Sequence, residues 1–497
     1  MFSIDMLSGN LMLLLAILVF VAVLSNKLGA KVGVPSILIF LVVGMIAGQD
    51  GIGLKFENYH AAEFFSHLAI AVILITGGLH TNLEESRPVI KQGSLLSTVG
   101  VIIMVVITGL FLYFFAGERD ILGAPLSLFS CILVAAILSS TDSTAVFSIL
   151  RSRRLHLREN LDPLIELESG SNDPMAFILT IVFTKILTVK ADVVAAASPA
   201  IVALATFGLV LYQVVSGYFM GRWMGKLGAK VLEKVGLDSA TMVSILILAW
   251  SFLSDGITSL IGGSGLLALY VSSITLGNSG KIKEKREVLK FFDGISWLGQ
   301  LLMVLILGLL TRPSHMGAVA VPAIILGLFM MFVARPASVF LTLLPFRKLP
   351  AKAKLLVSWM GVKGAGPILF ALYAVLNNVE RGTEIFNVVL IIILMSLILQ
   401  GMTLVPFAKL LDLCVEDDPV VKSFGLELPE EMGMLTDHVV KADDIPEGGV
   451  TLRDMRLPHG IRVVMVKREE KFLVPHGSMK LQEGDHLIIV MGDSDED

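Results

Sequence analysis

Charged side chains are scarce in this sequence. Only 16% of its 497 residues are Asp, Glu, Lys or Arg, whereas 55% are hydrophobic. Soluble domains carry about 25% charged residues, so this chain could not cover itself with a water-facing surface. The composition therefore excludes an ordinary soluble protein and indicates a polytopic α-helical membrane protein.

Cysteine and net charge are also low. The two cysteines are Cys131, within an apolar run, and Cys414, after the last such run, so we expect no disulfide framework. The formal net charge of -4 comes without a basic patch interleaved with aromatic residues, and no nucleic-acid partner is indicated. The sequence shows no nucleophile–base pair and no phosphate-binding loop. We therefore expect neither an enzyme nor a bound cofactor.

Long apolar runs dominate the chain up to residue 411. Windows of about 20 apolar residues mark membrane-spanning helices. The first ten residues contain Asp5 but no Lys or Arg, unlike a cleaved signal peptide, so we expect the first run to be retained as a helix. The thirteen predicted spans are 8–28, 34–49, 61–80, 90–116, 124–151, 160–188, 197–224, 237–254, 258–278, 287–311, 316–345, 352–378 and 384–411.

Basic residues collect in alternate loops between these runs, as the positive-inside rule requires. One set of loops contains the basic clusters at 151–158, 222–234 and 281–290, whereas the opposite set contains scattered charges such as Lys55. We therefore expect the N-terminus to lie outside. Thirteen spans would leave the C-terminus in the cytoplasm.

The composition changes after the last apolar run. We predict a membrane domain at 1–411, an acidic linker at 412–428 and a small cytoplasmic α/β domain at 429–497. In the last of these, short apolar blocks separated by turn signals indicate strands. The predicted strands are 449–455, 462–467, 471–474 and 486–491.

Two carboxylates and an amide lie in the middle of the sixth run, between Glu168 and Asp173. A charged side chain at this depth costs about 2.5 to 3.5 kcal/mol, so it indicates a functional site. At ~1.5 Å per residue, Asp173 lies about 20 Å from Asn160, near the bilayer midplane. Its carboxylate can hold either a monovalent cation or a proton, and competition couples the two. We predict Asp173 as this shared site, with Asn172 and Ser169 beside it.

Two other runs are interrupted by unusual residues. Residues 140–144 are five consecutive polar residues in the fifth run, which is typical of a helix that breaks within the membrane. Within them, Thr141 and Asp142 could be ion ligands or could satisfy the broken helix, and both roles stay open. In the twelfth run, three glycines and Pro367 surround the cation of Lys363.

A buried lysine needs an acidic partner or loses its proton. We assign Glu168 to Lys363 as a structural ion pair, which leaves Asp173 free to exchange ligands. Because Asn172 cannot titrate, one proton is expected to exchange for one cation. Arg335, in the inner half of the eleventh run, is a candidate modulator that could instead extend toward the cytoplasm.

Taken together, these motifs resemble the monovalent cation–proton antiporter superfamily, in its NhaP-like branch. The resemblance covers nearly all of 1–411 and rests on Gly33-Val-Pro-Ser, Thr141-Asp142, Glu168-Ser-Gly-Ser-Asn-Asp173 and Arg335-Pro336. It implies two inverted six-helix repeats with crossed broken helices in an NhaA-like arrangement, a homodimer and an elevator-like movement. Bacterial potassium–proton antiporters look most similar, which implies a location in the bacterial inner membrane with the N-terminus in the periplasm. The resemblance thus favours K+ over Na+ and a role in pH and osmotic homeostasis.

One position departs from the family pattern. The family usually places arginine in a Gly-x-Arg-Gly motif of the twelfth span, where this chain has Lys363. Lysine lacks the planar fork of arginine and can lose its proton when buried. Strict electroneutrality is therefore less secure than the pair Asn172–Asp173 alone would suggest.

The C-terminal domain resembles TrkA-C, the C-terminal half of RCK regulators. The similar segments are 452–458, 462–467 and 481–485. The resemblance implies a dimer interface that can bind a nucleotide or a cyclic dinucleotide. The basic residues that could meet such an anion are Arg462, Lys467, Arg468 and His476.

The leading prediction is a secondary antiporter that exchanges K+ or Na+ for H+. A cation channel gated by the C-terminal domain is an alternative, although the sequence has no Thr-Val-Gly-Tyr-like loop for a filter of carbonyl rings. A sodium-coupled organic-solute symporter on a similar inverted-repeat fold is another.

Overall fold

A computed structural model describes residues 2–3, 13, 16–25, 35–55, 58–117, 126–152, 155–188, 199–416, 435–440, 451–453, 461–468 and 471–491. The chain divides into two compact units, Met1–Val415 and Glu416–Asp497. Most of the predicted acidic linker and most of the first ten residues lie outside the described residues. The first unit is helical, and the second contains a small sheet.

The described helices of the first unit are numbered in chain order. They are α1 (Ala16–Ser25), α2 (Ser36–Ala47), α3 (Tyr59–His80), α4 (Ile90–Phe115), α5 (Leu128–Ile137), α6 (Ser143–Ser152), α7 (Leu161–Thr188), α8 (Pro199–Val235), α9 (Ala240–Leu260), α10 (Gly265–Gly277), α11 (Lys285–Leu310), α12 (Gly317–Thr342), α13 (Ala351–Trp359), α14 (Gly366–Leu376) and α15 (Gly382–Leu410). Short helical turns at Leu83–Ser86 and Pro313–His315 lie in linkers.

Within the described ranges, seven helices are long and apolar enough to cross a membrane, namely α3, α4, α8, α9, α11, α12 and α15. Helix α7 has 28 residues but carries the polar stretch around Asp173. Two pairs of short helices, α5 with α6 and α13 with α14, follow one another across non-helical breaks. The helices fit the predicted polytopic membrane protein, and the count of thirteen spans stays a prediction.

Three of the long helices contain a π-helical turn, in which one extra residue is accommodated. These turns are Leu96–Gly100 in α4, Met330–Ala334 in α12 and Leu397–Gly401 in α15. A π turn inside an α-helix often marks a functional site. All three helices belong to the part of the unit that surrounds α7.

The helices of the first unit form two bundles. We call α2, α3 and α8 to α11 the scaffold bundle, because these helices pack mainly against one another. The core bundle consists of α4 to α7 and α12 to α15, and it holds both broken pairs. Contacts between the bundles are fewer, and they are made mostly by α7 and α14 against α3, α8 and α10.

Helices α2 and α11 of the scaffold bundle approach closely at a pair of glycines. A Cβ atom built on Gly44 would lie 2.9 Å from the Cα of Gly308, and one built on Gly308 would lie 2.7 Å from the carbonyl oxygen of Leu41. Such distances leave no room for a side chain. Small residues let membrane helices pack backbone to backbone, so this contact depends on glycine at both positions.

The second unit contains strands β5 to β8. In chain order, the strands are β1 (Phe2–Ser3), β2 (Leu54–Lys55), β3 (Leu155–Leu157), β4 (Cys414–Glu416), β5 (Leu435–Val439), β6 (Ile461–Arg468), β7 (Lys471–Leu473) and β8 (His486–Met491). The sheet is antiparallel in the order β5-β8-β6-β7. Val466 and Leu487 are buried in its small hydrophobic core. The strands predicted at 462–467, 471–474 and 486–491 are confirmed.

One strand of this unit was not predicted, and one predicted strand is only partly described. Strand β5 was not predicted, because Thr436, Asp437 and His438 make its sequence polar. The strand expected at 449–455 falls largely outside the described residues. Of its described part, Thr451 forms an isolated antiparallel bridge with Lys480.

We expect Gly44→Ala to destabilise the scaffold bundle, because the added methyl group would meet backbone atoms of α11 that cannot move aside. Overpacking of this kind costs about 1 to 3 kcal/mol. The measurement is the thermal unfolding midpoint in detergent. Gly77→Ala in α3 is the matched control, since a Cβ there would have no neighbour within 4 Å. Equal midpoints for the two variants would contradict the close approach.

Candidate ion-binding site

The two helix breaks of the core bundle meet each other. Residues 138–142 separate α5 from α6, and residues 360–365 separate α13 from α14. The backbone N–H of Asp142 donates to the carbonyl oxygen of Val362 at 2.9 Å. Backbone groups freed by a break inside a membrane must find partners within the protein. Each break therefore supplies a hydrogen-bond partner for a backbone group of the other.

Lys363 joins the two breaks with its side chain. The lysine is only 4% exposed, and its Nζ donates to the carbonyl oxygen of Ser140 at 3.0 Å. Its backbone N–H donates to the hydroxyl of Ser396 on α15 at 2.9 Å. The hydroxyl of Ser396 in turn donates to Gln400, whose amide donates to the carbonyl oxygen of Trp359 at 3.1 Å.

Ser396 and Gln400 were not predicted as parts of the site. Both are buried in α15, and Gln400 lies in its π turn, Leu397–Gly401. The available sequence signal was a hydroxyl and an amide four residues apart in a largely apolar run, since such groups need partners in a membrane. Here the backbone at the α13–α14 break is a partner of both.

Glu168 pairs with Arg335. Both terminal guanidinium nitrogens donate to the carboxylate, Nη1 to Oε1 at 3.0 Å and Nη2 to Oε2 at 3.1 Å. The side chains are 2% exposed for Glu168 and 4% for Arg335. The planar fork of arginine matches both oxygens of a carboxylate, which the ammonium group of lysine cannot do.

The predicted ion pair between Glu168 and Lys363 is therefore wrong. The sequence placed Arg335 in the inner half of a span, from which it could extend toward water. In the structure, the π turn Met330–Ala334 directly precedes Arg335 in α12, and the side chain points into the core bundle. Lys363 bonds to a backbone carbonyl group instead of to Glu168.

Asn172 connects α7 to the first break. Its side-chain amide donates to the hydroxyl of Thr141 at 2.5 Å and to the carboxylate of Glu168 at 3.1 Å. The hydroxyls of Thr141 and Ser169 are 3.2 Å apart. These four side chains are all buried and form one continuous hydrogen-bonded network.

Asp173 lies next to this network and is only partly buried. Its carboxylate accepts a hydrogen bond from the hydroxyl of Ser140. Within the described ranges, no Lys or Arg side chain is bonded to it. The serine predicted beside Asp173 was Ser169, which bonds to Thr141 instead. Ser140 was missed as a site residue, although it lies in the polar run of the fifth span.

Asp142 has a different environment from Asp173. Its Oδ1 accepts a hydrogen bond from the backbone N–H of Ala145 at 3.2 Å and so caps the start of α6. Its carboxylate also lies against the Cα of Gly364, where no side chain could fit. This contact is the one expected if Asp142 stabilises the broken helix, and its role as an ion ligand stays a prediction.

Comparison with known families bears on this membrane unit. The profile of the family described as sodium/hydrogen exchanger, transmembrane, matches residues 13–410. The chain belongs to this exchanger family. The match contains both helix breaks and all of α7, so the resemblance predicted from the motifs is confirmed.

Members of the exchanger family from bacteria cover most of this chain. The K(+)/H(+) antiporter NhaP2 of Shewanella baltica (strain OS223) is 32% identical over 485 residues, which are 96% of this chain and 80% of that protein. The K(+)/H(+) antiporter NhaP of Alkalimonas amylolytica is 32% identical over 471 residues, which are 94% of this chain and 75% of that protein.

A solved structure of the same fold comes from an archaeon. The sodium proton antiporter MjNhaP1 of Methanocaldococcus jannaschii, solved at pH 8, aligns with a TM-score of 0.65 and 22% identity. The alignment covers 79% of this chain and 99% of that one. At this level of identity the likeness shows the fold.

The C-terminal unit of this exchanger carries a TrkA-C domain, whose profile matches residues 446–497. Among the predicted anion-binding residues, Arg468 is already paired. Its Nε and Nη2 donate to the two carboxylate oxygens of Asp485 at 2.8 and 2.7 Å. His476 is exposed, and Arg462 and Lys467 lie in strand β6.

Asp485 is 1% exposed and also accepts the N–H of Gln482 at 2.8 Å. Burial by itself would raise the pKa of Asp485. The hydrogen bonds from Arg468 and Gln482 outweigh this effect, so the pKa lies below its ordinary value of 3.8. The pair with Arg468 is thus a stabilising element of the TrkA-C sheet.

We expect Arg335→Ala to destabilise the membrane unit strongly, because it leaves the Glu168 carboxylate buried without a partner. Breaking such a pair costs about 3 to 5 kcal/mol. The measurement is the thermal unfolding midpoint in detergent. Arg347→Ala is the matched control, since Arg347 is exposed.

The exchanged pair, Glu168→Arg with Arg335→Glu, is expected to recover part of the stability lost in Arg335→Ala. Arg335→Lys should not recover it fully, because lysine cannot bond both oxygens. An Arg335→Ala midpoint equal to that of Arg347→Ala would contradict the assigned pair.

We expect Asp485→Asn to destabilise the C-terminal sheet by about 1.5 to 3 kcal/mol at neutral pH, the value of a hydrogen bond to a charged group. Since the folded pKa is lowered, this stability is present above the ordinary pKa and is lost as pH falls through the folded value. The measurement is the urea concentration at which sheet peptides of the full chain lose hydrogen-exchange protection. A difference from the wild type that persists unchanged under strongly acidic conditions would contradict the assignment.

Proposed function

We propose that this protein is a secondary antiporter that exchanges a monovalent cation, with K+ favoured over Na+, for H+ at the carboxylate of Asp173. The observation that carries the proposal is the unequal treatment of three neighbouring carboxylates. Glu168 is held by Arg335, and Asp142 caps a helix. Asp173 is partly exposed and bonded to a neutral hydroxyl.

Exchange follows from the capacity of one carboxylate. An ionised Asp173 attracts a partly dehydrated cation, and a protonated Asp173 is neutral and releases it. The cation and the proton cannot occupy the carboxylate together. Moving either one across the membrane therefore excludes the other, which is the coupling that an antiporter requires.

The charges around Asp173 favour exchange of one proton for one cation. Asn172 cannot titrate, and the pair of Glu168 with Arg335 contributes no net charge. Lys363 would alter the ratio only by releasing its proton during the cycle. The hydrogen bond that its ammonium group donates to the carbonyl oxygen of Ser140 favours a lysine that keeps its proton.

Alternating exposure of the site is assigned to movement of the core bundle against the scaffold bundle, in an elevator-like manner. The broken helices lie within the core bundle, and the contacts between the bundles are few. A discontinuous helix pair around a midplane site is the usual arrangement of such transporters. In this proposal, α7 carries Asp173 past the surface formed by α3, α8 and α10.

The cation and the surroundings are assigned from the relatives. Two relatives that cover most of the chain are K(+)/H(+) antiporters, which favours K+. We assign the protein to the bacterial inner membrane as a homodimer, with its N-terminus in the periplasm. The TrkA-C domain is assigned a regulatory role through a nucleotide or cyclic dinucleotide, and Arg462, Lys467 and His476 are its candidate contacts.

We expect Asp173→Asn to abolish exchange while leaving the protein folded, because an amide cannot alternate between charged and neutral states. The measurement uses proteoliposomes with an imposed pH gradient and an internal pH dye. Addition of K+ should collapse the gradient for the wild type but not for this variant. Asp238→Asn is the matched control, since Asp238 is exposed.

Gradient collapse by Asp173→Asn as fast as by Asp238→Asn would overturn the assignment of the carrier. A 1:1 exchange also predicts that an imposed membrane potential leaves the rate unchanged. Repeating the assay with K+, Na+, Rb+ and Li+ in turn ranks the cations.

A further inference from the structure

We propose that Ser140 is a ligand of the transported cation. The cation pocket would then be formed by the Ser140 hydroxyl and the Asp173 carboxylate, with the space left by the missing side chain of Gly366. The inference rests on the proposed exchange at Asp173. It adds a second ligand oxygen, from the break between α5 and α6, and it identifies Gly366 as the residue that keeps the pocket open.

The Ser140 hydroxyl has unused ligand capacity. A serine hydroxyl has one proton to donate and two lone pairs to offer. The proton is donated to the carboxylate of Asp173, and no donor to the Ser140 oxygen occurs among the described residues. The lone pairs are therefore available on an oxygen already in contact with Asp173. A hydroxyl beside a carboxylate provides the oxygen ligands that such cations prefer.

The rest of Ser140 is held in place. The residue is 2% exposed and lies in the break between α5 and α6, with its carbonyl oxygen bonded to the Nζ of Lys363 at 3.0 Å. A carbonyl oxygen that faces an ammonium group is a poor ligand for a second cation, because the two positive charges repel each other. The hydroxyl is therefore the ligand atom that Ser140 can supply, and Lys363 acts as a positioning residue for it.

Glycine at position 366 leaves room beside both oxygens. A Cβ built there would lie 3.0 Å from the Ser140 hydroxyl, which is a tight contact, and 3.6 Å from Oδ1 of Asp173. The space next to the two oxygens is thus slightly smaller than a methyl group. A side chain at this first residue of α14 would fill the position that we assign to the cation.

The neighbouring hydroxyls are already committed elsewhere. Thr141 accepts the amide of Asn172 and contacts Ser169, and both hydroxyls belong to the network around Glu168. Within the described part of the chain, neither hydroxyl forms a hydrogen bond with Asp173. Ser140 is the hydroxyl that the structure places on the carboxylate.

The test measures the apparent KM for K+ in the gradient-collapse assay for Ser140→Ala. Loss of one ligand should raise KM about tenfold, the lower end expected for losing a hydrogen bond to a charged group, with little change in maximal rate. Ser140→Thr retains a hydroxyl and should keep KM within about threefold of the wild type, because the ligand type is unchanged. Ser139→Ala is the matched control, since its equally buried hydroxyl donates to the carbonyl oxygen of Ala136.

Gly366→Ala provides a second test that leaves Ser140 intact. The added methyl group should raise the KM for K+ by filling the pocket. A binding readout independent of transport is the rise in unfolding temperature with K+ concentration, since a ligand stabilises the folded state that binds it. Ser140→Ala and Gly366→Ala should each need about tenfold more K+ for the same rise.

The outcomes separate this inference from the proposed function. If Asp173→Asn is inactive while Ser140→Ala matches Ser139→Ala in KM and in stabilisation by K+, Ser140 is not a ligand and the exchange at Asp173 stands. If Asp173→Asn remains active, the proposed function itself fails. If Ser140→Ala does not fold, Gly366→Ala decides, and an unchanged KM in that variant overturns the pocket.

Discussion

The need to satisfy every polar group inside a membrane determines how this protein is built. Two helices are interrupted where they meet, and neither interruption would be tolerable alone, because freed backbone groups have no water to bond. The structure places them together, so that Asp142 bonds to Val362 and Lys363 bonds to Ser140. This arrangement leaves the carboxylate of Asp173 beside an irregular backbone, next to the Ser140 hydroxyl.

The three carboxylates in this region have different hydrogen-bond partners. Glu168 accepts two bonds from Arg335, and Asp142 accepts a backbone N–H at the start of α6. Asp173 is bonded to a hydroxyl, which does not neutralise its charge. This difference is the reason that we propose Asp173, and not Glu168, as the exchanging group.

The sequence was sufficient to identify the polar groups within the apolar runs but not to identify their partners. A polar stretch at membrane depth is costly wherever it occurs, so Asp173 and both helix breaks could be recognised locally. The partner of Glu168 could not be recognised in this way, because Arg335 and Lys363 are both distant in the chain. Which of the two pairs with Glu168 depends on how the helices pack. Likewise, Ser169 shares a helical face with Asp173, yet its hydroxyl bonds across to Thr141. Local spacing predicts faces, whereas contacts between helices require the fold.

The π turn in α12 makes the ion pair of Arg335 with Glu168 depend on the number of residues in that turn. Each residue of a helix turns by about 100°, so one extra residue in Met330–Ala334 sets the direction of everything after it. Removing any one of these five residues would rotate Arg335 away from Glu168 without changing either partner. The length of this segment is thus as much a requirement as the identity of the arginine. In comparing related exchangers, a gap at this point would indicate a different arrangement of charges even where both residues are retained.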